Sequence, residues 1–351
     1  MIYWFPPYMK AIEKKLIDCR LVAHNFQNLD ENDLYNPSDF RYQIENFGVT
    51  YTLNLDLNVY QFILNSYKKP VAKKQFQDAI ALVVFCQMSG IVLEPSYAVY
   101  EKIGYDTCDE KMNEILNDLE LFYRIDNTDS DLLAQYALGN SQNYVLGFAN
   151  PINKEYLAKE LTKYRRLTEW DSMYLFMLKL ACLHVESDDS PATKLTSYIE
   201  WLVKEFRLSL VATVFAVVFF GKKPLPKMLK FKTSQTRNKK RASINNMTWD
   251  LYIMNEYFRS WVSQGSKQEL MYASGDKAFL GVLNYAIKIQ ETGSLQCMHE
   301  HLSQELLAHV DQLTLNPSSF YDRVYQSKEW TPDYRARLID KYESQLGIGE
   351  K

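Results

Sequence analysis

Val49-Thr50-Tyr51-Thr52-Leu53-Asn54-Leu55-Asp56-Leu57-Asn58-Val59 changes its period at the acid. Before Asp56 the residues suit a pleated, half-buried surface. After it, Leu57, Asn58, Val59 and Tyr60 open a helical pattern. A carboxylate where strand turns into helix lies at the carboxyl rim of an α/β sheet, where such folds place ligands and chemistry. Asp is also a favoured helix cap. Asp56 is therefore either a cap or a metal ligand, and other acids arriving at the same rim decide which.

The flanking sequence continues the alternation. Upstream, Met9, Ile12, Leu16, Cys19, Ala23 and Phe26 keep helical spacing, and residues 29–47 read as a polar, Tyr-rich connection with a short helix. Downstream, residues 75–88 carry Phe76, Ala79, Ile80, Val83 and Val84 on one face and stop at Ser89-Gly90, a C-cap pattern. Ile91-Val92-Leu93 is a short buried strand ending at Glu94-Pro95, and Ser96 opens a helix that contains Glu101. The order β-α-β-α predicts a parallel sheet. From about Lys111 to Phe220 the pattern is almost wholly helical, and residues 126–242, with a basic loop over 222–241, read as a helical insertion. The α/β pattern returns over 243–292, with a helix from about Met247, a β-prone run ending at Asp276, and a helix from Lys277. The expected organisation is an N-terminal helical segment (1–48), a first core part (49–125), the insertion (126–242), a second core part (243–292) and a helical tail (293–351).

Composition narrows the classes. A chain of 351 residues, 47% hydrophobic and 24% charged, can bury a large core and suits a globular protein. Five scattered cysteines read as reduced core residues of a reducing compartment. The N-terminus carries no export signal, and the longest apolar run, residues 208–220, is too short to span a bilayer. The expectation is a cytoplasmic protein with no membrane partner. No Gly-rich phosphate loop, HExxH or GxSxG occurs, which argues against a nucleotide-driven motor, a zinc protease and an α/β-hydrolase. Cys297, His299, His301 and His309 match no zinc-finger spacing.

Four acids fall at comparable places. Asp56 and Asp276 end strands, Glu101 follows the second strand, and Asp250 is expected to open the helix behind Asn245-Asn246-Met247-Thr248-Trp249. Parallel strands bring their carboxyl ends to one rim, so these four could converge. An oxygen-only cluster suits Mg2+ or Mn2+, and such metals activate water for phosphodiester cleavage. Alternatives stay open: Asp250 and Asp276 as helix caps with Ser274 competing, Glu94 or Asp78 in place of Glu101, and Asn58 as a residue orienting Asp56.

A basic stretch adds to this. Over 222–241, nine of twenty residues are Lys or Arg and none is acidic: Lys222, Lys223, Lys227, Lys230, Lys232, Arg237, Lys239, Lys240 and Arg241. On a chain of net charge −3 that concentration marks a local patch. It reads as an extended loop leading into the Asp250 motif, a grip for phosphates, or else as a solvated loop or a contact for an acidic partner.

In these residues the chain resembles the PIN-like nuclease superfamily. Leu55-Asp56-Leu57-Asn58 matches the first acidic motif and Pro95 through Glu101 the second. Asn246 to Asp250 looks like the third, and Ser274-Gly275-Asp276-Lys277-Ala278-Phe279-Leu280 like the fourth. The resemblance covers 49–103 and 243–290, under a third of the chain, and the insertion is far longer than in a minimal member. It implies a PIN-like parallel sheet flanked by helices, with a long helical insertion and a helical C-terminal tail. It also implies a metal-dependent nuclease, mostly on RNA, in which Asp56, Glu101, Asp250 and Asp276 hold Mg2+ or Mn2+. Toxin or defence roles, with an antitoxin or defence-complex partner and oligomerisation, come with it. The alternative is a non-catalytic PIN-like scaffold module.

Overall fold

The structure, a computed structural model, describes residues 3–23, 33–104, 108–163, 170–186, 188–225, 228, 231–263, 265, 267–314 and 332–349. The chain folds as two compact units. One takes in Met1–Arg166 with Ser260–Gly275, the other Leu167–Arg259 with Asp276–Lys351.

The first unit is α/β. Its elements are α1 (Met9–Cys19), β1 (Val22–Ala23), α2 (Pro37–Phe47), β2 (Thr50–Leu55), α3 (Leu57–Lys68), α4 (Lys74–Ser89), β3 (Val92–Glu94), α5 (Ser96–Ile103), α6 (Asp109–Asp126), α7 (Ser130–Ala137), α8 (Lys154–Lys163) and β4 (Gln268–Ala273). Strand order is β1-β4-β2-β3. The central strand β2 runs parallel to β3 (Thr52↔Val92, Asn54↔Glu94) and to β4 (Thr50↔Gln268, Leu55↔Ala273). Burial of Leu53, Asn54 and Leu55 in succession is what a strand covered on both faces requires. The buried Asn54 amide donates to the Met271 carbonyl at 3.4 Å, so it does not sit there unpaired.

The sheet departs from the fully parallel expectation at one edge, because β1 pairs with β4 antiparallel (Val22↔Ala273). The helix expected to reach Phe26 stops at Cys19 with Arg20 in the left-handed region (φ 49°), and the chain straightens into β1. Residues 24–32 lie outside the described set.

Helix α4 is buried more completely than its pattern implied. Every residue from Ala79 to Cys86 is buried, on all sides of the helix, against α1, α3 and α7. A helix apolar all round is a core element, and each fully buried Val, Leu, Ile or Phe contributes roughly 1.5–3 kcal/mol.

Among the described residues the second unit is helical throughout: α9 (Trp170–Glu186), α10 (Pro191–Lys204), α11 (Leu210–Phe220), α12 (Arg237–Ser263, its last turn belonging to the first unit), α13 (Lys277–Thr292), α14 (Gln304–Thr314) and α15 (Pro332–Gln345). The apolar run 208–220 becomes α11, capped by Ser209, whose Oγ accepts from Ala212 N. Among the described residues no helix is long and apolar enough to cross a membrane. Trp201 stacks on Phe206 (4.8 Å, 14°) and meets Tyr342 edge-on, tying α10 to α15.

Three expectations differ from the structure. Helix α12 begins at Arg237, so Asp250 lies deep inside it instead of at its start. The basic run reads as loop by charge and proline, yet past Thr236 the Arg and Lys it contains are good helix formers. Nor are all the cysteines core residues: Cys86 and Cys182 are buried, but Cys108 is exposed at the start of α6.

Candidate functional site

Asp56 stands at the carboxyl end of the central strand and is 8% exposed. Its backbone N–H extends the ladder to the Ala273 carbonyl (2.9 Å). Its side chain does two things. Oδ1 accepts from Asn58 N–H at 3.3 Å, which caps α3, and Oδ2 accepts from the Ser274 hydroxyl at 2.6 Å. A carboxylate there is favoured by the positive end of the α3 dipole, and hydrogen bonds to an ionised acceptor are the strong kind. The contact from Asn58 to Asp56 is this backbone cap. Ser274 is fully buried and its N–H donates to the Leu21 carbonyl (2.8 Å), so the end of β4 is fixed from both sides.

Glu94 receives Ser96 N–H (2.9 Å) and the Ser96 hydroxyl, which sets the start of α5. Asp78 is paired with Lys15 (2.9 Å) and Lys74 (3.5 Å). Glu94 and Asp78 thus have structural duties; Glu101 is half-buried on α5. Asp276 caps α13, its Oδ1 accepting from Ala278 N (2.9 Å) and Phe279 N (3.3 Å), so Ser274 and Asp276 divide the two roles.

Asp56 and Glu101 belong to the first unit, Asp250 and Asp276 to the second. Among the described residues no group of three or more His, Cys, Asp or Glu is arranged to hold a metal ion.

The basic stretch is more built than its sequence implied. Lys227 and Lys230 lie outside the described residues. Gly221 is pinned: a Cβ there would lie 2.5 Å from the Val217 carbonyl and 2.9 Å from His301 Cβ. Lys222 N–H then donates to the His301 carbonyl (2.8 Å), and Lys223 pairs with Glu300 (3.5 Å). Lys232, Arg237 and Lys239 are exposed. Three cations turn to the end of α15: Arg237 Nε donates to Ile348 O (3.3 Å), Lys240 Nζ to Leu346 O (3.3 Å), and Arg241 Nη2 to Ile348 O (2.9 Å) and Glu343 (3.4 Å). Cations that satisfy carbonyls just past the C-terminal end of a helix are a structural device. Arg237 and Arg241 border a cleft of about 630 Å3 shared with Asp340, Glu343 and Ser344.

One charged loop escaped the sequence reading. Lys68-Lys69-Pro70-Val71-Ala72-Lys73-Lys74 joins α3 to α4, and its signal was present as four lysines in an acid-free window, diluted by the larger basic run downstream. Lys68 and Lys102 both close on the buried Asp118, Lys102 at 2.6 Å, which locks α3, α5 and α6 together.

No family model, no curated protein and no solved structure matches this chain.

Proposed function

We propose that the chain is a PIN-like protein acting on nucleic acid, a nuclease that prefers RNA, with Asp56 the residue on which cleavage depends. One observation carries the reading: Asp56 ends the central strand of three parallel strands, with the hydroxyl at the end of the adjacent strand on its carboxylate. That is the position the resemblance assigns to the first acid. The other acids it names, Glu101, Asp250 and Asp276, and Mg2+ or Mn2+ as cofactor, belong to the same proposal. A toxin or defence setting would add a restraining partner.

The test is incubation of labelled single-stranded RNA and DNA with purified protein in Mn2+, Mg2+ or EDTA. Asn caps a helix as well as Asp does, so Asp56→Asn removes the charge and keeps the cap. Cleavage is expected with wild type in metal and falls at least about a hundredfold in Asp56→Asn, the low end for loss of a catalytic group. Absence of cleavage in every metal overturns the nuclease reading.

A second reading has its own support. Asp56 and Asp276 both cap helices, the role each carboxylate fills without a metal. That favours a non-catalytic module of the same fold that binds nucleic acid or scaffolds a complex. RNA binding in EDTA without cleavage in metal would select it.

A further inference from the structure

The loop between α3 and α4 holds four lysines, and no acid occurs from Leu64 to Gln77. Their duties differ. Lys68 is committed to Asp118. Lys69 is exposed at the end of α3. Lys73 lies alongside the Phe76 ring with its ammonium 5.9 Å from the centroid. The Lys74 side chain is 80% exposed and reaches Asp78 at 3.5 Å, whose nearer partner is Lys15; an exposed pair of that kind contributes little. The first turn of α4 contains no acid, and its N-cap, Lys73, makes no side-chain hydrogen bond to it. The positive end of a buried helix thus adds to three exposed cations.

An aromatic ring stands beside them. Tyr67 is 47% exposed and rests on Tyr144 (6.0 Å, 54°), and Tyr144 is itself held by Ser66 at 2.5 Å. The neighbouring Val71 and Val145 are 61% and 77% exposed. Cations that follow a backbone, next to a braced aromatic face, make the surface single-stranded nucleic acid uses: phosphates meet the lysines and a base stacks on the ring. An acidic peptide would use the lysines and leave Tyr67 idle. An anionic membrane would call for a broad apolar face, and two valines do not supply one.

We propose that Lys69, Lys73, Lys74 and Tyr67 form an exosite for single-stranded nucleic acid. Helix α3 separates it from Asp56 by about 18 Å, so it holds substrate away from the rim. The inference rests on the reading of the chain as acting on nucleic acid, but not on cleavage.

The experiment measures fluorescence anisotropy of a labelled oligouridine with the full chain in EDTA. Replacing Lys69, Lys73 and Lys74 together by Gln is expected to weaken binding at least about tenfold and to reduce the slope of log affinity against log salt by about 2. Tyr67→Ala is expected to weaken it about tenfold with the slope unchanged. Circular dichroism and melting confirm that each variant is folded. The exosite is overturned if wild type does not bind, if the triple variant binds as wild type does, or if an acidic peptide or anionic vesicles compete with Tyr67→Ala as they do with wild type and displace RNA fully. The two readings fail separately. Binding lost in the triple variant with no cleavage by wild type leaves the exosite and removes the nuclease. Cleavage with normal binding by the triple variant does the reverse.

Discussion

Asp126, in the last turn of α6, is a carboxyl at the wrong end of a helix dipole. Burial pushes it up from 3.8 to about 6. The folded chain therefore holds this proton more tightly than the unfolded chain does. Its contribution favours folding fully below about pH 4 and is lost as pH rises through about 6. Asp126→Asn is expected to raise unfolding stability near pH 7.5 by about 1–3 kcal/mol and to change little near pH 4. Denaturant unfolding at the two pH values reads this directly, and an unchanged midpoint at the higher pH would contradict it. Nothing in the sequence marked Asp126: an acid at the end of an amphipathic helix looks solvated until packing covers it. Asp56 is the contrasting case. Its place at a strand end was legible because the period changes there, whereas the Ser274 hydroxyl on its carboxylate depends on strand pairing across more than two hundred positions.

At the scale of elements, β2, β3 and β4 were legible because each is a run of strand formers bounded by a turn signal. The edge strand β1 was not: two residues carry no period, and only pairing with β4 defines them. The start of α12 was misread because charge and proline mask helix propensity. That error bears on function, since it moves Arg237, Lys240 and Arg241 from a loop to a clasp on the end of α15. Arg241→Ala is expected to cost the second unit about 1–2 kcal/mol through the lost hydrogen bonds. Amides of 342–349 should then exchange faster while RNA affinity in EDTA stays within about twofold. A tenfold loss of affinity with unchanged exchange would return Arg241 to phosphate contact. The Glu343 carboxylate keeps its Tyr174 hydroxyl (2.6 Å) in the variant, so no buried acid is left bare.

For the molecule as a whole, the net charge of −3 hides opposite local balances, and the response to acid is opposite as well. His301 in the second unit is 6% exposed, with Nε2 3.3 Å from the Tyr285 hydroxyl. Burial holds its pKa below 6.5 against the pull of Glu300, while Lys223 acts both ways, its charge lowering the value and its backbone hydrogen bond raising it. A depressed histidine contributes stability above its unfolded value that is lost as pH falls through the folded one. Asp126 in the first unit has the reverse sign. Between about pH 7.5 and 5.5, protection of amides in the last turns of α6 should rise about fourfold, after correction for intrinsic exchange. Over the same range, protection around 295–302 should fall, by at most about tenfold because the unfolded histidine sets the limit. Hydrogen exchange at several pH values resolves both regions in one sample. A parallel change in the two would mean that some other titration, common to the whole chain, outweighs these buried groups. Asp126→Asn should flatten the first trend and leave the second, which ties each response to its residue.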